Sequence, residues 1–439
     1  MSSSADGAGT PVRAENAAMT ASTRHILFAS LIGTTIEFFD FYIYATAAVL
    51  VFPTLFFPAG DAASATLQSL ATFALAFFAR PVGSALFGHF GDRVGRKATL
   101  VAALMTMGLS TVLIGLLPTY ATIGVAAPLL LALCRLGQGI GLGGEWGGAV
   151  LLATENAPPH RRAWYGMFPQ LGAPLGFLCS TGIFLFLSRQ LNDADFFAWG
   201  WRIPFLASAL LVAVGLYVRL KLTETPAFLA ALRKQERVRV PIVRVFARHS
   251  AALLLGTCVA LSIFVLFYLM TVFTLSWATT HLGYARQDFL VVQMIGVVFF
   301  AIGIPLAALG ADRYGIYPVL RLASVLIILF GLFFASLFTA TIAGGSLAFM
   351  AIGMFAMGLT YGPLGTVLAE MFPTAVRYTG ASVAFNLAGI LGGSLTPYFA
   401  TWLATRWGLG SVGYYICAAT VVTLLALIVA GRRRAYADR

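Results

Sequence analysis

Five ionisable side chains lie inside long apolar runs of the sequence, where they could exchange protons or bind charged solutes. Glu37 and Asp40 stand one helical turn apart in the first run, Arg80 lies in the second, and Arg135 and Glu145 lie in the fourth. An ionised side chain costs at least ~2.5–3.5 kcal/mol at the middle of a bilayer, so each of these groups requires a partner or a water-filled cavity. Intramembrane charges of this kind are therefore functional candidates.

The first pairing that we expect is between Asp40 and Arg135, since both lie near the middle of their runs. Protonating a carboxylate that pairs with a guanidinium releases the arginine, which links a proton to helix packing. The alternative is a permanent structural ion pair. Glu37 is the rival proton site because it lies one turn from Asp40.

Arg80 has no acid close to it in its own run, and a guanidinium offers a planar fork that fits a carboxylate. We therefore expect Arg80 to bind an anionic group of a solute; the alternatives are pairing with Glu37 and capping of backbone carbonyls. Other polar and aromatic side chains of the runs could line the same space, with ordinary packing as the alternative for each. They are Tyr42, Tyr44, Gln138, Trp146 and Gln170 in the first half of the chain, and Tyr268, Gln293, Tyr361 and Asn386 in the second.

The composition indicates which elements hold these residues. The chain has 439 residues, of which 59% are hydrophobic and 10% charged, and this is typical of a multi-pass membrane protein. The formal net charge of +12 does not predict a nucleic-acid partner, because the basic residues lie in loops between apolar runs, where they set topology. The spacing of cysteines and histidines predicts no metal site and no disulfide framework.

Windows of about 20 apolar residues, the length that crosses ~30 Å of hydrocarbon, give twelve spans. Lys and Arg are concentrated about five to one in the loops on the side of the termini, which places both termini in the cytoplasm. The predicted spans are 26–52, 67–90, 98–118, 124–154, 164–188, 202–221, 250–276, 288–310, 318–340, 344–369, 379–404 and 411–431.

Two loop motifs recur in the two halves of the chain. Asp92-Arg93-Val94-Gly95 returns as Asp312-Arg313-Tyr314-Gly315 after an offset of 220 residues, and the Glu155–Arg162 spacing returns as Glu370–Arg377 after 215. Parallel repeats of six spans place a solute site between the halves near the middle of the membrane. The predicted fold is an all-α membrane protein with twelve helices in two six-helix pseudo-symmetric bundles. The predicted segments are a disordered N-terminus (1–25), the first bundle (26–221), a cytoplasmic linker (222–249) with a possible surface helix, the second bundle (250–431) and a tail (432–439).

These residues resemble the major facilitator superfamily. The segment 88–97 (GHFGDRVGRK) is similar to its signature loop between helices 2 and 3, 135–139 (RLGQG) to its helix 4 motif, and 222–226 (LTETP) to its helix 6 end. The segments 37–42 (EFFDFY) and 143–148 (GGEWGG) resemble the metabolite:H+ symporter subfamily. Members of that subfamily take up α-ketoglutarate, citrate, shikimate, proline or betaine.

The resemblance implies a set of roles. An acid in helix 1 against an arginine in helix 4 supports Asp40 and Arg135 as the proton-coupling pair. It also implies a cytoplasmic gate in which Asp92 stabilises the start of helix 11, with the repeat placing the same residue types in the second half. Since segment 312–317 lacks the basic pair that follows Gly95, we expect the charged latch to be stronger in the first half. The gate residues are Asp92, Arg93, Arg96, Glu155, Arg162 and Glu224, with Asp312, Arg313, Glu370 and Arg377 as the counterparts.

The sequence therefore predicts a monomeric symporter in a bacterial inner membrane that imports a small organic acid with protons. The proton gradient supplies the driving force, so no cofactor is expected. The alternatives are an osmolyte symporter, disfavoured by a tail too short for a coiled coil, and a proton-independent facilitator or exchanger. A membrane enzyme or receptor is a further alternative. The segment 139–144 matches a dinucleotide-binding pattern, but it lacks the strand that such a site requires.

Overall fold

The computed structural model describes residues 10–57, 62–221, 241–339 and 344–437. Some side chains within these ranges, those of Asp92 and Arg96 among them, lie outside the description, as do Glu224 and the possible surface helix in the linker. The part of the linker that the structure describes forms a short helix, Pro241–Arg248, before the second half begins.

Twelve helices in the described residues account for the twelve predicted spans. Eleven are long and apolar enough to cross a membrane, and the twelfth, Ile316–Leu332, is a shorter apolar helix. Two of them contain a π-helical turn. In chain order they are α1 (Thr10–Leu50), α2 (Ala62–Arg93), α3 (Arg96–Leu116), α4 (Ala126–Glu155), α5 (Arg162–Gln190), α6 (Ile203–Leu220), α7 (Ser250–Tyr268, then the π-helical turn Leu269–Phe273 and Thr274–Thr280), α8 (Arg286–Tyr314), α9 (Ile316–Leu332), α10 (Gly345–Glu370), α11 (Arg377–Gly389, then the π-helical turn Ile390–Ser394 and Thr396–Trp407) and α12 (Leu409–Ala437).

The two ends of the chain differ from the prediction. The helix α1 begins at Thr10, inside the segment predicted to be disordered, and α12 continues to Ala437 instead of ending at 431. A helix that leaves the hydrocarbon continues until a residue stops it, and neither 12–23 nor 432–437 contains a glycine or a proline. The predicted division of the chain into two bundles, a linker and two terminal segments, with the bounds given above, stays a prediction.

One end of the molecule carries the turns α2–α3, α4–α5, α8–α9 and α10–α11, and we call it the basic end. The two repeated loops adopt related conformations there. Gly95 and Gly315, which close the repeated motif, have φ angles of 131° and 91°. This is the region that only glycine enters without strain. The repeat in the sequence is therefore a repeat of backbone conformation.

The glycines of α4 let the helix backbones approach closely. A Cβ atom at Gly143 would overlap the carbonyl of Arg80 in α2, and one at Gly139 would come within 2.6 Å of the Ala76 carbonyl oxygen. A Cβ atom at Gly147 would overlap the hydroxyl of Ser382 in α11. These approaches are typical of small residues at helix interfaces in membranes, and the segment 139–144 lies wholly within a helix, which excludes the dinucleotide interpretation.

The helices α1–α6 and α7–α12 form two halves that meet along several helix pairs. α2 packs on α11, and α5 packs on both α8 and α10. Since α1 and α7 also face each other across this interface, the residues of α1, α2, α5, α7 and α8 line the space between the halves. This space contains the candidate site.

Candidate functional site

A small buried cavity, the inner cavity, lies between the halves, with Glu37 and Arg80 in its wall. Its volume of about 30 Å³ holds a water molecule or two but no metabolite. The remaining wall is apolar or aromatic apart from tyrosine hydroxyls, and it comes from both halves. These residues are Phe38, Tyr42, Ala173, Ile263, Phe264, Phe267, Tyr268, Met357, Tyr361 and Phe385.

Glu37 and Arg80 share this cavity without forming an ion pair. Their exposed fractions are 3% and 4%, and no N···O distance between them falls within 4.0 Å among the described ion pairs. The Arg80 guanidinium lies 4.6 Å from the centroid of Phe41 and 5.1 Å from that of Phe77, so aromatic faces stabilise its charge. Within the described residues, Glu37 Oε2 and Arg80 Nε have no hydrogen-bond partner. These two atoms are therefore available to a ligand or a proton.

A second space, the outer cavity, lies further from the basic end, between α1 and α5 of the first half and α7 and α8 of the second. It has a volume of about 100 Å³, and none of its described lining residues is charged. Gln293 is part of its wall and donates hydrogen bonds to the carbonyls of Met270 (3.2 Å) and Thr271 (2.6 Å). Three aromatic residues, Tyr42, Phe267 and Tyr268, line both cavities and separate them.

Asp40 faces away from both cavities. It is fully buried, and neither carboxylate oxygen has a hydrogen-bond partner in the described part of the chain. Its polar neighbours are the hydroxyls of Thr111 in α3 and Ser208 in α6. The carboxylate thus lies within the first half, on the side of α1 that faces α3 and α6.

The predicted direct pair between Asp40 and Arg135 is absent from the described ion pairs. Arg135 instead lies 4.0 Å from the centroid of Tyr44 and donates a hydrogen bond of 3.0 Å to Gln138 Oε1. Gln138 in turn donates to the Thr111 hydroxyl at 2.7 Å. The pairing prediction is therefore wrong in its geometry, because aromatic rings and an amide surround the Arg135 guanidinium, whereas the polar neighbours of Asp40 are Thr111 and Ser208.

Two residues predicted to line the solute space, Tyr44 and Gln138, contact the Arg135 guanidinium instead. The Tyr44 ring lies against the guanidinium, and its hydroxyl donates to Thr72 at 2.8 Å. Gln138 bridges Arg135 and Thr111, as described above. Among the described lining residues of the two cavities, neither Tyr44 nor Gln138 appears, so their expected place in the wall is not observed.

Neutral hydrogen bonds close the halves over the inner cavity. Trp146 Nε1 donates to Gln170 Oε1 at 2.8 Å, and Gln170 Nε2 donates to the Tyr361 carbonyl of the other half, also at 2.8 Å. The Trp146 ring stacks on Phe385 with 3.7 Å between centroids. Trp146 and Gln170 therefore close the interface instead of lining the cavity.

Two further bonds join α11 to the first half. Asn386 Nδ2 donates to Ser84 Oγ at 2.6 Å, and the Tyr378 hydroxyl donates to the Gly144 carbonyl. Asn386, predicted to line the solute space, thus joins the two halves on the side of the basic end.

Charged residues add a gate at the basic end. Glu155 pairs with Arg377 at 3.8 Å and Arg162 with Glu370 at 3.9 Å, both across the halves. The Asp312 carboxylate accepts hydrogen bonds from the backbone N–H groups of Ala163 (2.9 Å) and Trp164 (3.0 Å), at the start of α5. A carboxylate in this position satisfies free N–H groups and complements the helix dipole.

The Asp312 bonds form without the basic pair that the first-half loop carries. The reason is that capping requires only the carboxylate and the free N–H groups of a helix. Arg93 bonds to His89 at 3.1 Å, and Arg313 lies over the Tyr314 ring at 5.2 Å, so these two do not pair across the halves in the described structure. The latch of the second half is thus formed, whereas the side chain of Asp92, the first-half counterpart of Asp312, lies outside the described residues.

One buried ion pair escaped the sequence reasoning. Arg219, a basic residue at the end of the sixth predicted span, is only 3% exposed and pairs with the fully buried Glu145. It also donates to the Leu100 carbonyl at 2.7 Å. The sequence allows this pair to be predicted, because the intramembrane Glu145 requires a cation and Arg219 ends span 6 on the same side of the molecule.

Comparison with known proteins agrees with this architecture. Residues 25–244 match the family model described as sugar (and other) transporter. The inner membrane metabolite transport protein YhjE of Escherichia coli is 55% identical over 94% of this chain and 95% of that protein. The shikimate transporter of Escherichia coli is 35% identical over 94% and 95%, and its proline/betaine transporter is 33% identical over 92% and 82%.

A solved structure has the same fold. The proton:xylose symporter XylE, of the major facilitator superfamily, superimposes with a TM-score of 0.75 at 19% identity, covering 92% of this chain and 95% of that one. At this identity the likeness concerns the fold. Taken with the relatives above, it shows that the chain belongs to the sugar (and other) transporter family of the major facilitator superfamily and is a multi-pass membrane transporter of metabolites, not an enzyme.

Proposed function

We propose that the protein imports a small organic acid together with protons by alternating access. The observation that carries the proposal is the presence of Glu37 and Arg80 in one buried cavity between the two halves. A guanidinium binds a carboxylate through its planar fork, and a buried carboxylate without a partner loses an unfavourable charge when it takes up a proton. A relative named as a shikimate transporter supports an organic acid as the solute.

The two carboxylates of α1 have separate parts in this proposal. Glu37 lies in the cavity wall and exchanges a proton with the space in which Arg80 holds the substrate carboxylate. Asp40, one turn further along α1, holds the coupled proton within the first half. Thr111 and Gln138 connect its surroundings to Arg135, so a change in its charge alters the packing between α1, α3 and α4.

The alternation is assigned to the two ends of the interface. The ion pairs, the Asp312 cap and the neutral bonds around Trp146 close the basic end, which we place in the cytoplasm. The aromatic residues Tyr42, Phe267 and Tyr268 close the path from the outer cavity. Substrate enters when these rings separate and leaves when the bonds at the basic end break. The protein acts as a monomer in the bacterial inner membrane.

A second candidate is proton-coupled uptake of a zwitterionic osmolyte. The observation that favours it is that one cavity contains an anion, a cation and several aromatic faces, which would suit a carboxylate and a quaternary ammonium. A relative named as a proline/betaine transporter supports it as well. A proton-independent facilitator or exchanger is the third candidate.

Proteoliposomes that contain a pH-sensitive dye test the proposal. Shikimate, benzoate, α-ketoglutarate, citrate, proline and betaine are added outside in turn, with an inward proton gradient. We expect acidification with an organic acid, reduced at least tenfold by Asp40→Asn and unchanged by Asp193→Asn, a matched change of an exposed aspartate. Uptake of labelled acid without proton movement, or an unimpaired Asp40→Asn variant, would contradict proton coupling through Asp40.

A further inference from the structure

We infer that the substrate carries a single carboxylate on a compact, uncharged body that is apolar or aromatic. The inference rests on the proposed function, because it takes the substrate to be an organic acid bound at Arg80. It adds which acids fit the two cavities.

The number of charges in the two cavities limits the number of carboxylates. Arg80 is the one cation among the described residues that line the inner cavity, and the described wall of the outer cavity contains none. Arg135 does not help, since it lies behind Tyr44, outside both walls. A second substrate carboxylate would therefore be buried without a cation, which makes its desolvation costly.

The walls also indicate the body of the substrate. A solute that passes from the outer to the inner cavity moves along Tyr42, Phe267 and Tyr268, which line both. The Tyr42 and Phe267 rings lie 5.6 Å apart, and Phe264 and Phe385 add further faces in the inner cavity. Binding sites with apolar and aromatic walls and a few polar groups select apolar bodies, and flat rings gain most from such contacts.

A zwitterion fits less well than a monocarboxylate. An ammonium group would need an ionised Glu37, the one described acid in the wall. In the proposed transport Glu37 exchanges a proton with this cavity, and its protonated form offers no anion to such a group. A monocarboxylate with an uncharged body needs only one charged partner in the cavity, Arg80.

Binding measurements on the purified full-length protein test the inference. The probes are the ring monocarboxylates benzoate and cyclohexanecarboxylate, with phthalate as a benzoate that carries a second carboxylate, acetate as a carboxylate without the body, and citrate and betaine. We expect thermal stabilisation by at least one of the two ring monocarboxylates. Phthalate, acetate, citrate and betaine should require at least tenfold higher concentrations for the same shift.

Variants connect the binding to Arg80. Arg80→Gln should abolish the shift, and Arg80→Lys should weaken it at least tenfold, whereas Arg189→Gln, a change of an exposed arginine at the end of α5, should leave it intact. The comparison of benzoate with phthalate needs no variant, so it tests the preference for a single carboxylate even where Arg80→Gln fails to fold.

The outcomes separate the two proposals. If none of the ring monocarboxylates binds, or if phthalate, citrate or betaine binds as tightly as they do, the inference on the substrate is wrong, whatever compound moves protons. If a ring monocarboxylate binds through Arg80 but its uptake moves no protons, the inference holds and the proposed proton coupling is wrong.

Discussion

Glu155, the last residue of α4, forms an ion pair with Arg377, the first residue of α11, across the two halves of the transporter at 3.8 Å. A second pair has the acid and the base on the opposite halves. Glu370, the last residue of α10, pairs with Arg162, the first residue of α5, at 3.9 Å. Each half therefore supplies one acid and one base at equivalent helix ends. Closing the basic end joins both pairs at once, and opening it breaks both.

Reversing one charge of this gate should open the basic end. In Arg377→Glu the new carboxylate repels Glu155, and the loss of about 1 kcal/mol for such a pair corresponds to an approximately fivefold shift toward the open state. The readout is the labelling rate of Ser382→Cys, a buried α11 position, in a background without the four native cysteines. Adding Glu155→Arg should slow labelling again.

Arg313→Glu is the control for the gate, because Arg313 is exposed and lies over its neighbouring Tyr314 ring. Equal labelling rates in the single variant Arg377→Glu and in the double variant would show that the pair does not hold the gate closed.

Glu145→Gln should destabilise the protein by about 3–5 kcal/mol, because it leaves the Arg219 guanidinium buried without a counter-charge. The double variant with Arg219→Gln should lose less, since two amides replace two charges and can bond to each other. Unfolding in detergent measures both, with Arg189→Gln as the control for an exposed charge. A double variant as unstable as the sum of the single variants would argue against a coupled pair.

Gly143→Ala should cost about 1–3 kcal/mol or prevent folding, because its Cβ atom would overlap the carbonyl of Arg80. Gly410→Ala is the matched control, since no described atom lies within 4 Å of a Cβ atom built there in α12. The melting temperature and the size-exclusion profile compare the two. Equal behaviour would show that α4 and α2 can move apart without loss.

Gln170→Leu should weaken the closure of the halves, because it leaves the Trp146 N–H group and the Tyr361 carbonyl without this partner. An unsatisfied buried polar group costs about 1–3 kcal/mol. We expect a lower melting temperature and faster labelling of Ser382→Cys, whereas Gln190→Leu, an exposed position at the end of α5, should change neither. Loss of stability with unchanged labelling would limit the role of Gln170 to packing.

Thr111→Val should reduce proton-coupled uptake at least tenfold, because it removes the hydroxyl that neighbours Asp40 and accepts a hydrogen bond from Gln138. Since Thr111 lines neither cavity among the described residues, binding of a ring monocarboxylate should persist. Dye acidification and thermal shift measure the two effects separately. Equal losses of coupling and of binding would point to a general disturbance of the first half.

The sequence by itself determined the twelve spans, the two halves and five residues that bond across the halves at the basic end, Glu155, Arg162, Asp312, Glu370 and Arg377. Hydropathy depends on composition over about 20 residues, and the repeated motifs depend on local spacing, so neither requires knowledge of distant contacts. The offset between Glu155–Arg162 and Glu370–Arg377 already contained the symmetry of the two ion pairs. The offset does not show that each glutamate pairs with the arginine of the other half. The packing of α4 on α11 and of α5 on α10 produces these pairs.

Only the tertiary structure decided which charges meet. Glu37 and Asp40 are three residues apart in one helix, yet Glu37 faces the cavity and Asp40 faces α3 and α6, because the packing of α1 fixes its rotation. The same packing surrounds Arg135 with aromatic rings and brings Arg219 to Glu145 over 74 residues of sequence. Helix rotation and close approach at glycines depend on many distant contacts, and no local pattern records them.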